Sequence, residues 1–91
     1  IDYVEAYGDY VRLHVGREVH LLRGTLAEME RKLAPAGFAR IHRSRLVNFE
    51  RVREFTADRE QDPHVLLKSG VRLAASEVCL RELQSRLDAE H

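Results

Sequence analysis

Short apolar segments separated by turn signals fill most of the chain, and the apolar spacing changes to a helical period twice. Ile1-Asp2-Tyr3-Val4-Glu5-Ala6-Tyr7 reads as a short strand that ends at the turn signal Gly8-Asp9. In Tyr10-Val11-Arg12-Leu13-His14-Val15, the residues Val11, Leu13 and Val15 fall two apart, as on one face of a half-buried strand. Gly16-Arg17 reverses the chain and Glu18 to Leu22 answers it, so residues 10–22 predict a hairpin. The period then changes. Thr25 with Glu28 three residues on forms a capping box, and Leu26, Met29 and Leu33 fall on one stripe of a short helix. Pro35-Ala36-Gly37 stops that helix.

Phe38 to His42 predicts a further strand. Arg43 to Phe49 mixes Leu46, Val47 and Phe49 with polar residues and suits a loop or one helical turn. Val52 to Thr56 reads as strand, and the polar, proline-containing residues 58–63 as a turn or exposed loop. His64 to Lys68, Ser69-Gly70 and Val71 to Ala74 make a second hairpin. Ser76 caps a closing helix with Leu80, Leu83 and Leu87 as its apolar stripe. The sum is one mainly β domain, a small sandwich or meander of antiparallel sheets with two short helices. The chain opens on Ile1 rather than Met, which reads as an excised domain or fragment. An N-terminal strand cut away there would leave a sheet edge unpaired.

Composition narrows the function classes. Ninety-one residues fit a single domain with one modest core. Charged residues make up 33% but sum to zero, so any case for an anionic partner rests on where the charges lie. They are unevenly placed. Arg40 to Arg53 holds five arginines (40, 43, 45, 51 and 53) against Glu50, a local charge of +5 − 1 = +4, which leaves −4 for the rest. His42, Ser44 and Asn48 are interleaved among them. Arginine forks match phosphate oxygens and guanine edges, Asn matches adenine, and Ser or His can meet phosphate. The same composition describes a solvated basic face paired with Asp or Glu on neighbouring strands, and composition by itself favours that description.

The other candidate chemistry is thin. A single cysteine, Cys79, rules out an internal disulfide, fits a reducing compartment and reads as a small packed residue. The five histidines show no metal-ligand spacing; His14 and His20 would meet across the hairpin, but two ligands do not make a site. Asp58, Glu60 and Asp62 read as a solvated turn. No phosphate loop, nucleophile elbow or carboxylate pair is present, so the expectation is no enzyme, no cofactor and no metal. No apolar run approaches a membrane span and no signal peptide is visible, which with the lone cysteine points to the cytoplasm.

Three segments, in order, resemble the LytTR domain, a DNA-binding module of bacterial response regulators. Ile1 to Val11 is similar to the family's opening "I-x-Y-I-E-A-x-G-D-Y-V". Gly37-Phe38-Ala39-Arg40-Ile41-His42-Arg43-Ser44-Arg45-Leu46-Val47-Asn48 resembles "G-F-x-R-I-H-R-S-x-L-V-N", and Leu66 to Ser76 resembles its last hairpin, "L-x-L-x-x-G-x-x-L-x-V-S". The likeness runs over nearly the whole chain, and the middle motif is specific. It reverses the weighting of the basic segment.

The resemblance implies an elongated set of antiparallel sheets whose loops, not a recognition helix, enter successive major grooves of double-stranded promoter DNA. By position it places His42, Arg43, Ser44 and Arg45 at DNA, with Asp9 and Tyr10 nearby. Asn48 matches a family position for DNA contact or for fixing the loop through backbone hydrogen bonds. Phe38, Ile41, Leu46 and Val47 would be core, with Arg51 and Arg53 as flanking phosphate contacts. It further implies repeated half-sites bound by dimers, driven by a regulatory domain outside this chain. One position departs: after the last hairpin the family carries a basic residue where this chain has Glu77. That departure is the best argument for the rival reading, a protein-interaction or dimerisation module of the same fold.

Overall fold

The computed structural model describes residues 1–56 and 62–89, with side chains of the last helix up to Arg86. Eight strands, β1 (Tyr3–Tyr7), β2 (Tyr10–Val15), β3 (Glu18–Arg23), β4 (Phe38–His42), β5 (Arg45–Asn48), β6 (Val52–Thr56), β7 (His64–Leu67) and β8 (Arg72–Ala74), are joined by helices α1 (Leu26–Leu33) and α2 (Glu77–Ala89). The strands form an antiparallel five-stranded sheet in the order β3-β2-β1-β5-β4 and a three-stranded sheet in the order β6-β7-β8. The mainly β architecture with two short helices follows the periodicity. Glycine opens both turns of the first three strands, with φ of +60° at Gly8 and +58° at Gly16. Positive φ at the first central position suits the primed hairpin turns, and glycine adopts it without steric cost. Thr25 caps α1 by accepting the Glu28 backbone N–H at 3.2 Å.

Strands β1, β4 and β5 of the five-stranded sheet are covered on both faces. On one, Leu26 and Met29 of α1 pack over Val4, Val11, Phe38 and Leu46, with Leu13 and Leu33 half-buried at the margin. On the other, Ile41 and Val47 meet Val65, Leu67 and Leu73 of the smaller sheet and Leu80 of α2. The side chain of Leu87, expected on the same stripe as Leu80 and Leu83, lies outside the described residues.

This two-sided burial explains the one misreading of an element. Arg45–Asn48, expected as loop or helical turn, is a strand held between β1 and β4. Its adjacent apolar residues serve different cores, Leu46 beneath α1 and Val47 against the smaller sheet, and both are fully buried. A strand buried on both faces shows no alternation. Phe49–Arg51, which follows, forms a single 3-10 turn.

β1 has partners on both sides, so the edge strands of the larger sheet are β3 and β4, and every residue of β3 is exposed. His14 and His20 do not meet, because the register sets His14 opposite Val19 and Leu13 opposite His20, which places the two rings on opposite faces. Most of the expected polar loop at 58–63, including Asp58 and Glu60, lies outside the described residues.

Candidate nucleic-acid interface

The strand directions bring three chain reversals to one end of the molecule. They are the β1–β2 turn at Gly8-Asp9, the β4–β5 turn at Arg43-Ser44, and the β8–α2 junction at Ala75-Ser76. Backbone bonds lock them together: the Ala6 N–H donates to the Ser44 carbonyl at 2.8 Å, and the Ser76 N–H donates to the Ile41 carbonyl at 2.7 Å. The Gly24 N–H donates to the Asp9 carbonyl at 3.1 Å, which ties the end of β3 to the same place.

The β4–β5 turn is the most heavily braced. The pairing of β4 with β5 slips by one residue between Arg40 and His42, a bulge that sets His42 opposite Arg45. Bulges of this kind re-aim side chains beside functional sites. His42 Nδ1 lies 3.2 Å from the Ser44 backbone N–H and 2.8 Å from the Ser44 hydroxyl. A backbone N–H only donates, so Nδ1 accepts and the ring proton sits on Nε2. Burial, helped by the nearby Arg45 and Arg43 charges, lowers the His42 pKa and favours this neutral ring. Arg40 braces the turn from behind: Nη1 donates to the Arg43 carbonyl at 2.8 Å, while Nε and Nη2 hold Glu30 of α1 at 3.2 and 3.0 Å.

Arg43 crowns this turn. Its side chain is exposed, and its guanidinium has no partner among the described residues. Tyr10, 44% exposed, stands at the end of the neighbouring turn. Tyr10, His42, Arg43 and Ser44 thus gather at one end. Arg45 lies beside them and is only partly engaged: Nη1 donates to the Ala74 carbonyl at 3.5 Å, while the buried Nε makes no hydrogen bond and stands 3.8 Å from Glu5 Oε2 as an ion pair. It links β1, β5 and the end of β8.

Asn48 does not join them. It lies at the far end of β5, where its Nδ2 donates to the Ile1 carbonyl at 2.9 Å and its Oδ1 accepts the Glu50 N–H at 3.1 Å. The amide fixes backbone and caps the 3-10 turn. Arg51 and Arg53 also lie away from the turn. Arg51 pairs with Asp2 at 3.5 Å, and its carbonyl accepts the Lys68 N–H. Of the five arginines in the basic segment, Arg40, Arg45 and Arg51 therefore face carboxylates of neighbouring elements, Glu30, Glu5 and Asp2. At the third reversal, Ser76 caps α2 by accepting the Cys79 N–H at 3.4 Å, and Glu77 is paired one turn on with Arg81 at 2.5 Å.

The bracing roles of Arg40, Glu30 and Glu5 are not visible in the linear sequence, because their partners stand ten or more residues away or on other strands. The only signal was the excess of arginine itself. Among the described residues no helix is long and apolar enough to cross a membrane.

The comparisons with known proteins bear on the family and the fold. The chain is 29% identical over 87 residues to the sensory transduction protein LytT of Bacillus anthracis, a match covering 96% of this chain and 35% of that protein. It is 43% identical over 53 residues to the CO-responsive transcriptional regulator RcoM of Rhodospirillum rubrum, covering 58% of this chain and 22% of that protein. The chain thus spans about a third or less of the curated relatives it matches. A solved LytTr DNA-binding domain from Bacillus cereus superposes with a TM-score of 0.83 over 96% of this chain and 80% of that one, at 22% identity, and so shares its fold. Residues 1–88 match the LytTr DNA-binding domain family, a family of DNA-binding rather than enzymatic domains, and the chain belongs to it.

Proposed function

We propose that this domain binds double-stranded promoter DNA sequence-specifically, as the output module of a bacterial transcription regulator, by seating the β4–β5 turn in the major groove. The observation that carries this reading is the unpartnered Arg43 guanidinium on a turn braced by Arg40, His42 and the backbone of β1. A rigid turn fixes where the fork points, and an arginine fork can donate to O6 and N7 of one guanine. Tyr10, the Ser44 hydroxyl and the Nε2–H of His42 suit adjacent phosphates or base edges. Arg45 and Asn48 act as supports in this reading, the first by joining the turn to β8 and the second by fixing the N-terminal backbone. At α2, Arg81 offsets Glu77, so the third reversal meets DNA without a net negative charge.

The regulator acts from the cytoplasm as a dimer on repeated half-sites, with the pairing driven by a domain outside this chain. Relatives named as a sensory transduction protein and a CO-responsive regulator support a sensory partner domain. The test is selection of duplexes from a random pool. Recovery of a defined motif whose enrichment is lost in Arg43→Ala is the expected result. Recovery of no motif, with a weak affinity equal for all duplexes, would overturn it and favour the protein-interaction module.

A further inference from the structure

We propose that Glu5 is a specificity-determining residue: it holds Arg12 and Arg45 away from the DNA backbone, so that sequence-independent binding stays weak. The proposal rests on the DNA-binding reading above.

Three cationic or potentially cationic groups converge on this one carboxylate. Arg12 Nη1 lies 3.6 Å from Oε1, His14 Nε2 lies 2.8 Å from the same oxygen, and Arg45 Nε lies 3.8 Å from Oε2. The register makes the convergence unavoidable, since Glu5 of β1 sits directly between Arg12 of β2 and Arg45 of β5. All three side chains therefore share the sheet face opposite α1. The Arg12 guanidinium is further held over the Tyr7 ring, 3.7 Å from its centroid. The row lies close to the turns, because the residue after Glu5 already bonds to Ser44.

A phosphate approaching Arg12 or Arg45 must displace a carboxylate that also repels it. The two arginines and Glu5 sum to +1, and without the carboxylate they would sum to +2. Freed, they would offer phosphate contacts to any duplex, and such contacts supply nearly all of non-specific binding. A complex docked through the β4–β5 turn has its geometry set by that turn and gains less. Arg45 adds a second effect. Held by Glu5, it reaches the Ala74 carbonyl and keeps the β8–α2 junction beside the turn. Released, it would loosen that arrangement and weaken the sequence-specific complex. Both effects lower the ratio of specific to non-specific affinity.

The experiment compares the wild type with Glu5→Gln on two duplexes of equal length and composition: one selected by the wild type from a random pool, one scrambled. Glu5→Gln is expected to bind the scrambled duplex about 3- to 10-fold more tightly at low salt. Its log K against log salt should steepen by about 0.9, the value for one added phosphate contact. The preference for the selected duplex should fall by about the same factor. Unchanged slope and preference in a folded Glu5→Gln protein would overturn the proposal while leaving the DNA-binding reading intact. A wild type with no preference between the duplexes would instead overturn that reading.

Arg12→Gln in the wild-type background keeps the test open should Glu5→Gln not fold. Arg12 is withheld there, so the scrambled-duplex slope should move by less than about 0.3, whereas a loss of about 0.9 would show a phosphate contact already in use and contradict the proposal.

Discussion

The two ends of this small domain carry similar residues put to opposite uses. At one, Arg43 stands exposed on a turn braced by its neighbours. Arg40 and the Ser44 N–H fix the backbone there, and His42 fixes Ser44. At the other, Arg51 is paired with Asp2, and Asn48 has both ends of its amide bonded to main chain. An arginine held by a carboxylate is part of the surface, and one left free on a rigid support is available to a ligand. Local charge density does not separate the two cases, but the partners of each guanidinium do.

The largest effect should come from Arg43. Arg43→Ala is expected to cost about 1–3 kcal/mol in affinity for a selected duplex, with base preference relaxed at one position. Arg51→Ala, measured in the same titration, should change that affinity by less than about 0.5 kcal/mol, since its pair with Asp2 is a solvent-screened surface one. Equal losses from the two variants would erase the distinction between the ends.

Asn48 comes next and acts on stability. Asn48→Ala removes a cap and a bond to the Ile1 carbonyl, and should lower unfolding free energy by about 1 kcal/mol. Affinity per folded molecule should be unchanged. A loss of affinity with no loss of stability would return Asn48 to the DNA surface.

The smallest effect concerns His42, whose folded pKa lies below its ordinary value of 6.5. The unfolded chain therefore binds a proton more readily than the folded one. The stability at stake is fully present above 6.5 and is lost as pH falls from there through the lowered folded value. An imidazole titration followed by NMR should show a midpoint below 6.5, and Arg43→Ala should raise it by removing a nearby positive charge. A midpoint at or above 6.5 would mean that burial and the two arginines do not disfavour the charged ring.

Much of this fold was legible in the sequence because glycine turns and a capping box mark the element ends, and Val11 and Leu13 keep the alternation of a half-buried strand. β5 was not, since Leu46 and Val47 point into different cores. The β4–β5 turn was legible through the motif around His42, Arg43 and Ser44. The inventory of free and bound arginines was not, because Glu30, Glu5 and Asp2 reach their partners across the fold. Asn48 reads in the sequence as suited either to DNA or to fixing backbone, and in the fold its amide caps a turn.

The most direct measurement of which end meets DNA is a backbone amide NMR titration with a selected duplex. Shifts should concentrate at residues 8–10, 42–44 and 76–78, the three reversals gathered at one end. Shifts concentrated instead at residues 16–17, 49–53 and 68–70 would contradict the assignment of the β4–β5 turn to DNA.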